Sequence, residues 1–140
     1  MKIDKVAILI KKAALEFDKV SNSALEKYDI TPSQYKVMKY LYEEYEDGVR
    51  IVDLEKYFSM SHPTAIGIVQ NLEKKNLTEY RENPNNARSR FIVPTEEALK
   101  IKDELEGVGS DLESELTSRL TEKERERLVA LLSKMLDLEV

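Results

Sequence analysis

The sequence predicts a mainly α-helical fold with one small β-hairpin, on three observations. Glycine and proline number only four each in 140 residues, which favours long helices. Apolar side chains recur at steps of three and four over residues 3–28 and again over residues 95–138, the spacing of helical faces. A single polar tip, Asn83-Pro84-Asn85-Asn86-Ala87-Arg88, separates two short apolar runs, as in a hairpin.

The length suits one domain that can bury a real core, and 41% hydrophobic residues is a globular value. The chain has no cysteine, so disulfides, thiolate metal clusters and cysteine redox switches are excluded. With His62 as the one histidine, a transition-metal site is not expected, and no cofactor is. The start, Met1-Lys2-Ile3-Asp4-Lys5, lacks the form of a secretory leader, and no apolar run nears membrane length. The expectation is a soluble cytoplasmic protein with no membrane partner.

The formal net charge is −5, against bulk attraction to nucleic acid, but its distribution is uneven. Residues 49–93 hold 7 basic and 5 acidic side chains. Residues 1–48 hold 8 and 9, and residues 94–140 hold 7 and 13. The one positively balanced third contains the hairpin tip and the helix before it.

Taken in order, the first helix carries Ile3, Val6, Ile10, Ala13, Phe17, Val20, Ala24 and Tyr28 on one face, widened by Ile8 and Leu9. A face this broad serves more than one neighbour. Thr31-Pro32-Ser33-Gln34 is a strong helix start, with Thr31 as N-cap, Pro32 at the first position and Gln34 closing a capping box. That helix presents Tyr35, Met38, Leu41, Tyr42 and Tyr45 and ends near Gly48, which can supply a left-handed cap. Val49-Arg50-Ile51 reads as extended. Val52 to Phe58 reads as two helical turns with Leu54, Tyr57 and Phe58 directed to the core.

After a turn at Ser59-Met60, Ser61 caps a helix with His62 and Pro63 in its first turn, running to Lys75. Ala65, Ile68, Val69 and Leu72 share one side of it. Pro63, Thr64, Gly67, Gln70, Asn71 and Lys74 share the other. Asn76 suits a left-handed stop, and Leu77–Glu82 and Ser89–Val93 read as the two strands. A helix, a turn, a second helix with a small polar outer face and a hairpin make a winged helix-turn-helix. Beyond Pro94, Thr95-Glu96-Glu97 opens a long helix striped by Ala98, Ile101, Leu105, Val108, Leu112, Leu116 and Leu120. Gly107 and Gly109 within it mark a bend or a close crossing. Leu120-Thr121-Glu122-Lys123-Glu124 opens a last capped helix with Leu128, Leu131, Leu132, Met135 and Leu136 on its apolar side.

Three amphipathic helices thus come from the two ends of the chain, more apolar surface than one winged unit can cover. A second copy is the economical cover. The expected organisation is a helical dimerisation body from residues 1–30 and 95–140 around a winged helix-turn-helix from residues 31–94.

The run from Thr31 to Thr95 resembles the MarR family of winged helix-turn-helix transcriptional regulators. The likeness rests on Thr31-Pro32-Ser33-Gln34-Tyr35, Leu54, Ser61-His62-Pro63-Thr64-Ala65, Asn71-Leu72-Glu73-Lys74-Lys75, Asn83-Pro84-Asn85-Asn86-Ala87-Arg88 and Thr95-Glu96-Glu97. The phrase Leu120-Thr121-Glu122-Lys123-Glu124 with Leu131-Leu132 looks like the family's last helix.

The resemblance implies a homodimer that binds double-stranded DNA, with its recognition helix in the major groove and a wing arginine in the adjacent minor groove. By position, Ser61, His62, Pro63, Thr64 and Gln70 would face the major groove and Arg88 would be the wing arginine. Arg90 would be a second wing contact. Many family members are repressors released by small, often aromatic, ligands bound between dimer body and winged unit. Tyr35, Tyr42 and Tyr45 lie near that place and are read either as core or as an effector pocket. The chain departs from the family pattern at four places. Asn86 replaces an acid two residues before the wing arginine, and Tyr80 stands where arginine is frequent. Pro94 replaces a leucine, and Ala98 replaces a glycine.

Two function classes follow. The first is a sequence-specific, ligand-responsive repressor acting as a homodimer on a palindromic site. The alternative is a dimeric winged-helix module that binds another protein without specific DNA binding, which the sparse positive charge permits. An enzyme is not expected, because the sequence holds no nucleophile–base pair, metal cluster or phosphate loop.

Overall fold

The computed structural model describes residues 5–138 and contains seven α-helices and one two-stranded sheet among them. Ile3, placed on the first helical face from its spacing, lies outside the described residues. Helix α1, Val6–Leu25, passes through a 3-10 turn, Glu26–Tyr28, to α2, Pro32–Glu44. Gln34 N–H donates to Thr31 Oγ1, and Thr31 N–H donates to Gln34 Oε1, both at 3.2 Å, so each backbone amide at the helix start is satisfied by the other residue's side chain. The chain leaves α2 through Tyr45–Asp47 to Gly48, whose φ of 87° favours glycine. A side chain here would also put its Cβ 2.7 Å from the Phe91 ring.

The Val49 carbonyl accepts from Ile92 N–H at 2.7 Å, and Arg50 after it is extended. Helix α3, Ile51–Phe58, begins one residue earlier than its sequence suggests. Arg50 is its N-cap, with the Asp53 carboxylate accepting from Arg50 N–H at 2.8 Å. Burial alone would raise the Asp53 carboxyl. The Arg50 backbone and guanidinium outweigh it and hold the group below its usual range. Ser59, at φ 53°, turns the chain into α4, His62–Lys74, and Asn76, at φ 60°, ends that segment.

Strand β1, Thr78–Arg81, pairs antiparallel with β2, Phe91–Pro94, in the register Thr78↔Pro94 to Arg81↔Phe91. Thr95 joins the end of the wing to the end of α4. Its hydroxyl donates to Asn76 O at 2.7 Å and accepts from Ala98 N–H at 3.1 Å.

The core lies where α2, α3, α4 and β2 meet. Val37, Leu41, Leu54, Val69, Leu72 and Ile92 are wholly buried there. Tyr57, read from its spacing as core, is 67% exposed. It packs sideways in an aromatic group, its centroid 4.6 Å from Tyr40 and 4.9 Å from Phe58. With only two turns, α3 can bury a narrow stripe, which Leu54 fills.

The helix expected to run on from Thr95 is interrupted. Helix α5, Glu96–Lys100, ends at Ile101, where φ −100° and ψ 6° leave the helical region, and α6, Lys102–Leu116, starts anew. The Tyr42 hydroxyl donates at the break, to Ala98 O at 2.6 Å, the carbonyl that an unbroken helix would offer to residue 102. The bend is at Ile101, not at the glycines. Gly109 instead marks a close crossing, because a Cβ there would lie 2.2 Å from the Tyr35 hydroxyl, whereas Gly107 faces open space.

Burial, aided by the Glu106 carboxylate, pushes the Tyr42 hydroxyl up to about 12. The folded chain therefore holds this proton more tightly than the unfolded one. Stability from this residue is complete below about pH 10 and falls as pH rises toward 12, by about 1.4 kcal/mol per pH unit. Urea midpoints between pH 9 and 12 are expected to drop more steeply for the native chain than for Tyr42→Phe. That variant is expected to start about 1 kcal/mol lower at neutral pH, having left the Ala98 carbonyl without its donor.

Helix α1 packs on α2 and α6 near its C-terminal end, where Ser21 and Leu25 are buried, while Val6, Ile10 and Leu15 stay exposed. Helix α7, Glu122–Met135, starts with a capping box between Thr121 and Glu124 and buries none of its side chains in the protomer. Leu131, Met135 and Leu136 are each more than half exposed. No described helix is long and apolar enough to cross a membrane.

Candidate nucleic-acid interface

Helix α4 divides its two sides as its sequence does. Ala65, Val69 and Leu72 are wholly buried, and Ser61, His62, Pro63, Thr64 and Gln70 are all exposed. The core thereby fixes the rotation of the helix, and the outer residues are free to meet a ligand. At its start, Ser61 Oγ accepts from Thr64 N–H at 3.3 Å and donates to Thr64 Oγ1 at 2.9 Å. The Ser61 hydroxyl is committed to the cap, whereas the Thr64 hydroxyl proton remains free for an outside acceptor. His62 Nδ1 lies 2.9 Å from Glu55 Oε2 on α3, which turns the imidazole edge and leaves Nε2 outward. Gly67, half-buried on this helix, has open space where a Cβ would stand, so packing within the protomer does not require it.

The wing tip is built by asparagines. Buried Asn83 accepts from Asn85 N–H at 2.9 Å through its side chain, and Asn86 Oδ1 accepts from Arg88 N–H at 3.1 Å. Asn86 N–H donates to Asn83 O, and Ser89 N–H donates to Asn86 O, closing two successive turns. The amide oxygen of Asn86 holds the Arg88 backbone. The Arg88 side chain is exposed and has no hydrogen-bond or ion-pair partner among the described residues.

Arg90 is also exposed, with its guanidinium carbon 4.1 Å from the centroid of the Tyr80 ring. This stack was hidden in the sequence because it depends on strand register. Tyr80 faces Ile92 across the sheet, which makes Arg90 its diagonal neighbour. A second contact was equally hidden. Lys75 Nζ, at the end of α4, donates to Gln34 Oε1 at 2.8 Å and to the Asp29 carbonyl, joining the recognition segment to the start of α2.

The three tyrosines do not gather in one pocket. The Tyr35 hydroxyl donates to Leu105 O at 3.0 Å, and the Tyr42 hydroxyl donates to Ala98 O, so both hydroxyls bind α5–α6 backbone. Burial, followed by the Glu106 charge, raises the Tyr35 hydroxyl as well. A cavity of about 340 Å³ lies between α1, α2 and α6, and Phe17, Ser21, Tyr35, Lys36, Lys39 and Leu112 are among its walls. Tyr42 and Tyr45 are not. Tyr42 faces the next turn of the helix, and Tyr45 falls after α2 has ended, beside Gly48 and Phe91.

No family model matches the chain. Its fold is similar to that of S. aureus MepR in complex with DNA, with a TM-score of 0.88 and 28% identity, covering 96% of this chain and 98% of that one. It is similar to a cysteine-to-serine mutant of E. coli MarR complexed with operator DNA, with a TM-score of 0.85 and 30% identity, covering 94% of this chain and 93% of that one. In sequence it is similar to the transcriptional regulator HosA of Escherichia coli O111:H-, 27% identical over 109 residues, which are 78% of this chain and 79% of HosA.

Proposed function

The chain belongs to the MarR family, and from that premise we propose that it is a sequence-specific DNA-binding transcriptional regulator, a ligand-responsive repressor that acts as a homodimer on a palindromic site. It is a regulator and not an enzyme. The observation that carries the reading is the division of α4. One side is locked in the core, and Ser61, His62, Pro63, Thr64 and Gln70 stand outside beside a wing that exposes Arg88 and Arg90. A helix of this width enters the major groove, where glutamine can pair with an adenine edge. Arg88 on its short tip suits the narrower minor groove.

In this reading residues 31–94 bind DNA, and residues 1–30 with 95–140 form the dimer body. The exposed apolar sides of α1 and α7 support that division. The cavity beside Tyr35, with aromatic walls and two lysines, supports a small aromatic effector as ligand.

The test is selection of duplexes from a random pool, followed by titration. A palindromic site and a steep loss of affinity with salt are expected. Arg88→Ala is expected to weaken binding roughly 10-fold on every duplex, as loss of a backbone or minor-groove charge does. Gln70→Ala is expected to lose about 1–3 kcal/mol on the selected site only, relaxing preference at one position of the half-site. Absence of duplex binding at low salt, with the dimer intact, would make this a protein-interaction module instead.

A further inference from the structure

Arginines on this face differ in what holds them. Arg50 is paired with Asp53 at 3.2 Å, and Arg81 lies 3.8 Å from Glu79. Arg88 has its backbone held by Asn86 and its head free. Arg90 alone of these four rests on an aromatic ring.

That ring is itself anchored. Tyr80 is half-buried and packs against the core cluster from β1. Its hydroxyl is raised by burial, then by the charge of Glu73 near the end of α4, and lowered by Arg90. Strand β1, which carries Tyr80, packs against α4, and Arg90 lies over the Tyr80 ring. A guanidinium over a ring keeps its edge N–H groups available while giving up rotamer freedom before any ligand arrives. A lysine ammonium, a compact and strongly hydrated charge, would not lie flat on the ring in this way.

We propose that Tyr80 is a positioning residue that holds Arg90, through the stack of its ring under the guanidinium, against a DNA phosphate lying between the groove read by α4 and the groove reached by Arg88. The assignment rests on the DNA-binding reading above. One strand of the wing contributes the platform and the other contributes the charge.

The experiment is the salt dependence of affinity for a fluorescein-labelled duplex recovered by selection, measured by anisotropy. Arg90→Ala is expected to reduce the slope of log affinity against log salt by about 0.9 for each phosphate lost. Tyr80→Leu keeps apolar bulk against the core and changes no charge. It is nevertheless expected to reduce the slope by the same amount and to weaken binding roughly 3- to 10-fold, the worth of a cation–ring contact and the phosphate contact it supports. The double variant is expected to match Arg90→Ala, and Tyr80→Phe to match the native protein.

A native slope in Tyr80→Leu, or in Arg90→Ala, overturns the assignment while leaving the DNA-binding reading intact. A slope reduced in Tyr80→Phe as far as in Tyr80→Leu overturns it too, since the ring remains. Failure of the native protein to bind any duplex at low salt removes the DNA-binding reading itself.

Discussion

Changing both Leu131 and Leu132 to glutamate is expected to give a monomer at micromolar concentration and to lower affinity for a palindromic duplex at least about 100-fold. The two residues sit on the apolar side of α7, 51% and 36% exposed in the protomer. No α7 side chain is buried there, so the substitutions remove nothing from the protomer's own core. In the proposed dimer that side is covered, and each leucine, already part-covered in the protomer, contributes about 0.5–1.5 kcal/mol by leaving water. Two carboxylates in the same place carry a desolvation cost of several kcal/mol each. The sign is therefore certain to favour dissociation if this face is the interface. Each released protomer would read a half-site alone, losing the gain of roughly 100- to 10,000-fold that linking two binding units confers. Light scattering gives the mass and anisotropy the affinity, with far-UV circular dichroism confirming retained helix. A variant that stays dimeric would place the interface elsewhere.

Leu72→Ala is expected to destabilise the protein by about 3 kcal/mol, within the 2–5 kcal/mol typical of deleting a buried leucine side chain. Leu72 is wholly buried and anchors the last turns of α4 against the core. Removing it leaves a cavity that the surrounding elements cannot readily close. Two other ties hold this region in place, Lys75 to Gln34 and Thr95 to Asn76. Urea unfolding at fixed protomer concentration should show the midpoint falling with an unchanged slope. Gln70→Ala, two residues away on the outer side, should shift the midpoint by less than about 0.5 kcal/mol. That pair of results would separate the anchoring side of the helix from the reading side. Equal stability losses in the two variants would contradict the observed rotation of α4.

Much of this follows from neighbouring residues alone. The caps at Thr31, Ser61, Thr95 and Thr121 are local agreements between a side chain and amides within three residues, and all four form. Asn76, at φ 60°, follows the end of α4 for a similarly local reason of backbone freedom. Helix α2 instead stops at Glu44, before the 3-10 turn that Gly48 closes with φ 87° and ψ 112°, outside the left-handed cap expected of it. The inner side of α4 was legible because helical spacing alone decides which residues share it. So was the hairpin, from its asparagine tip, although each strand is shorter than its apolar run suggests.

What was not legible depends on residues far apart in the chain. Tyr57 has the spacing of a core residue, but α3 is too short to turn it inward once Leu54 is buried. The break at Ile101 has no glycine or proline to announce it, and the hydroxyl that meets the freed Ala98 carbonyl belongs to a tyrosine fifty-six residues away. That Tyr35 lines the cavity while Tyr42 and Tyr45 do not depends on how α2 packs against α1 and α6. The platform under Arg90 required the strand register, and the Lys75 tie required the placement of α4 against α2. The sequence by itself therefore determined the helices, their caps, the face that reads outward and the apolar surplus at the chain's ends, since each follows from spacing or from contacts a few residues long. Only the tertiary structure decided which polar groups meet across the fold, because a buried hydroxyl, amide or guanidinium left without a partner is costly, and that partner is chosen by packing rather than by proximity in the chain.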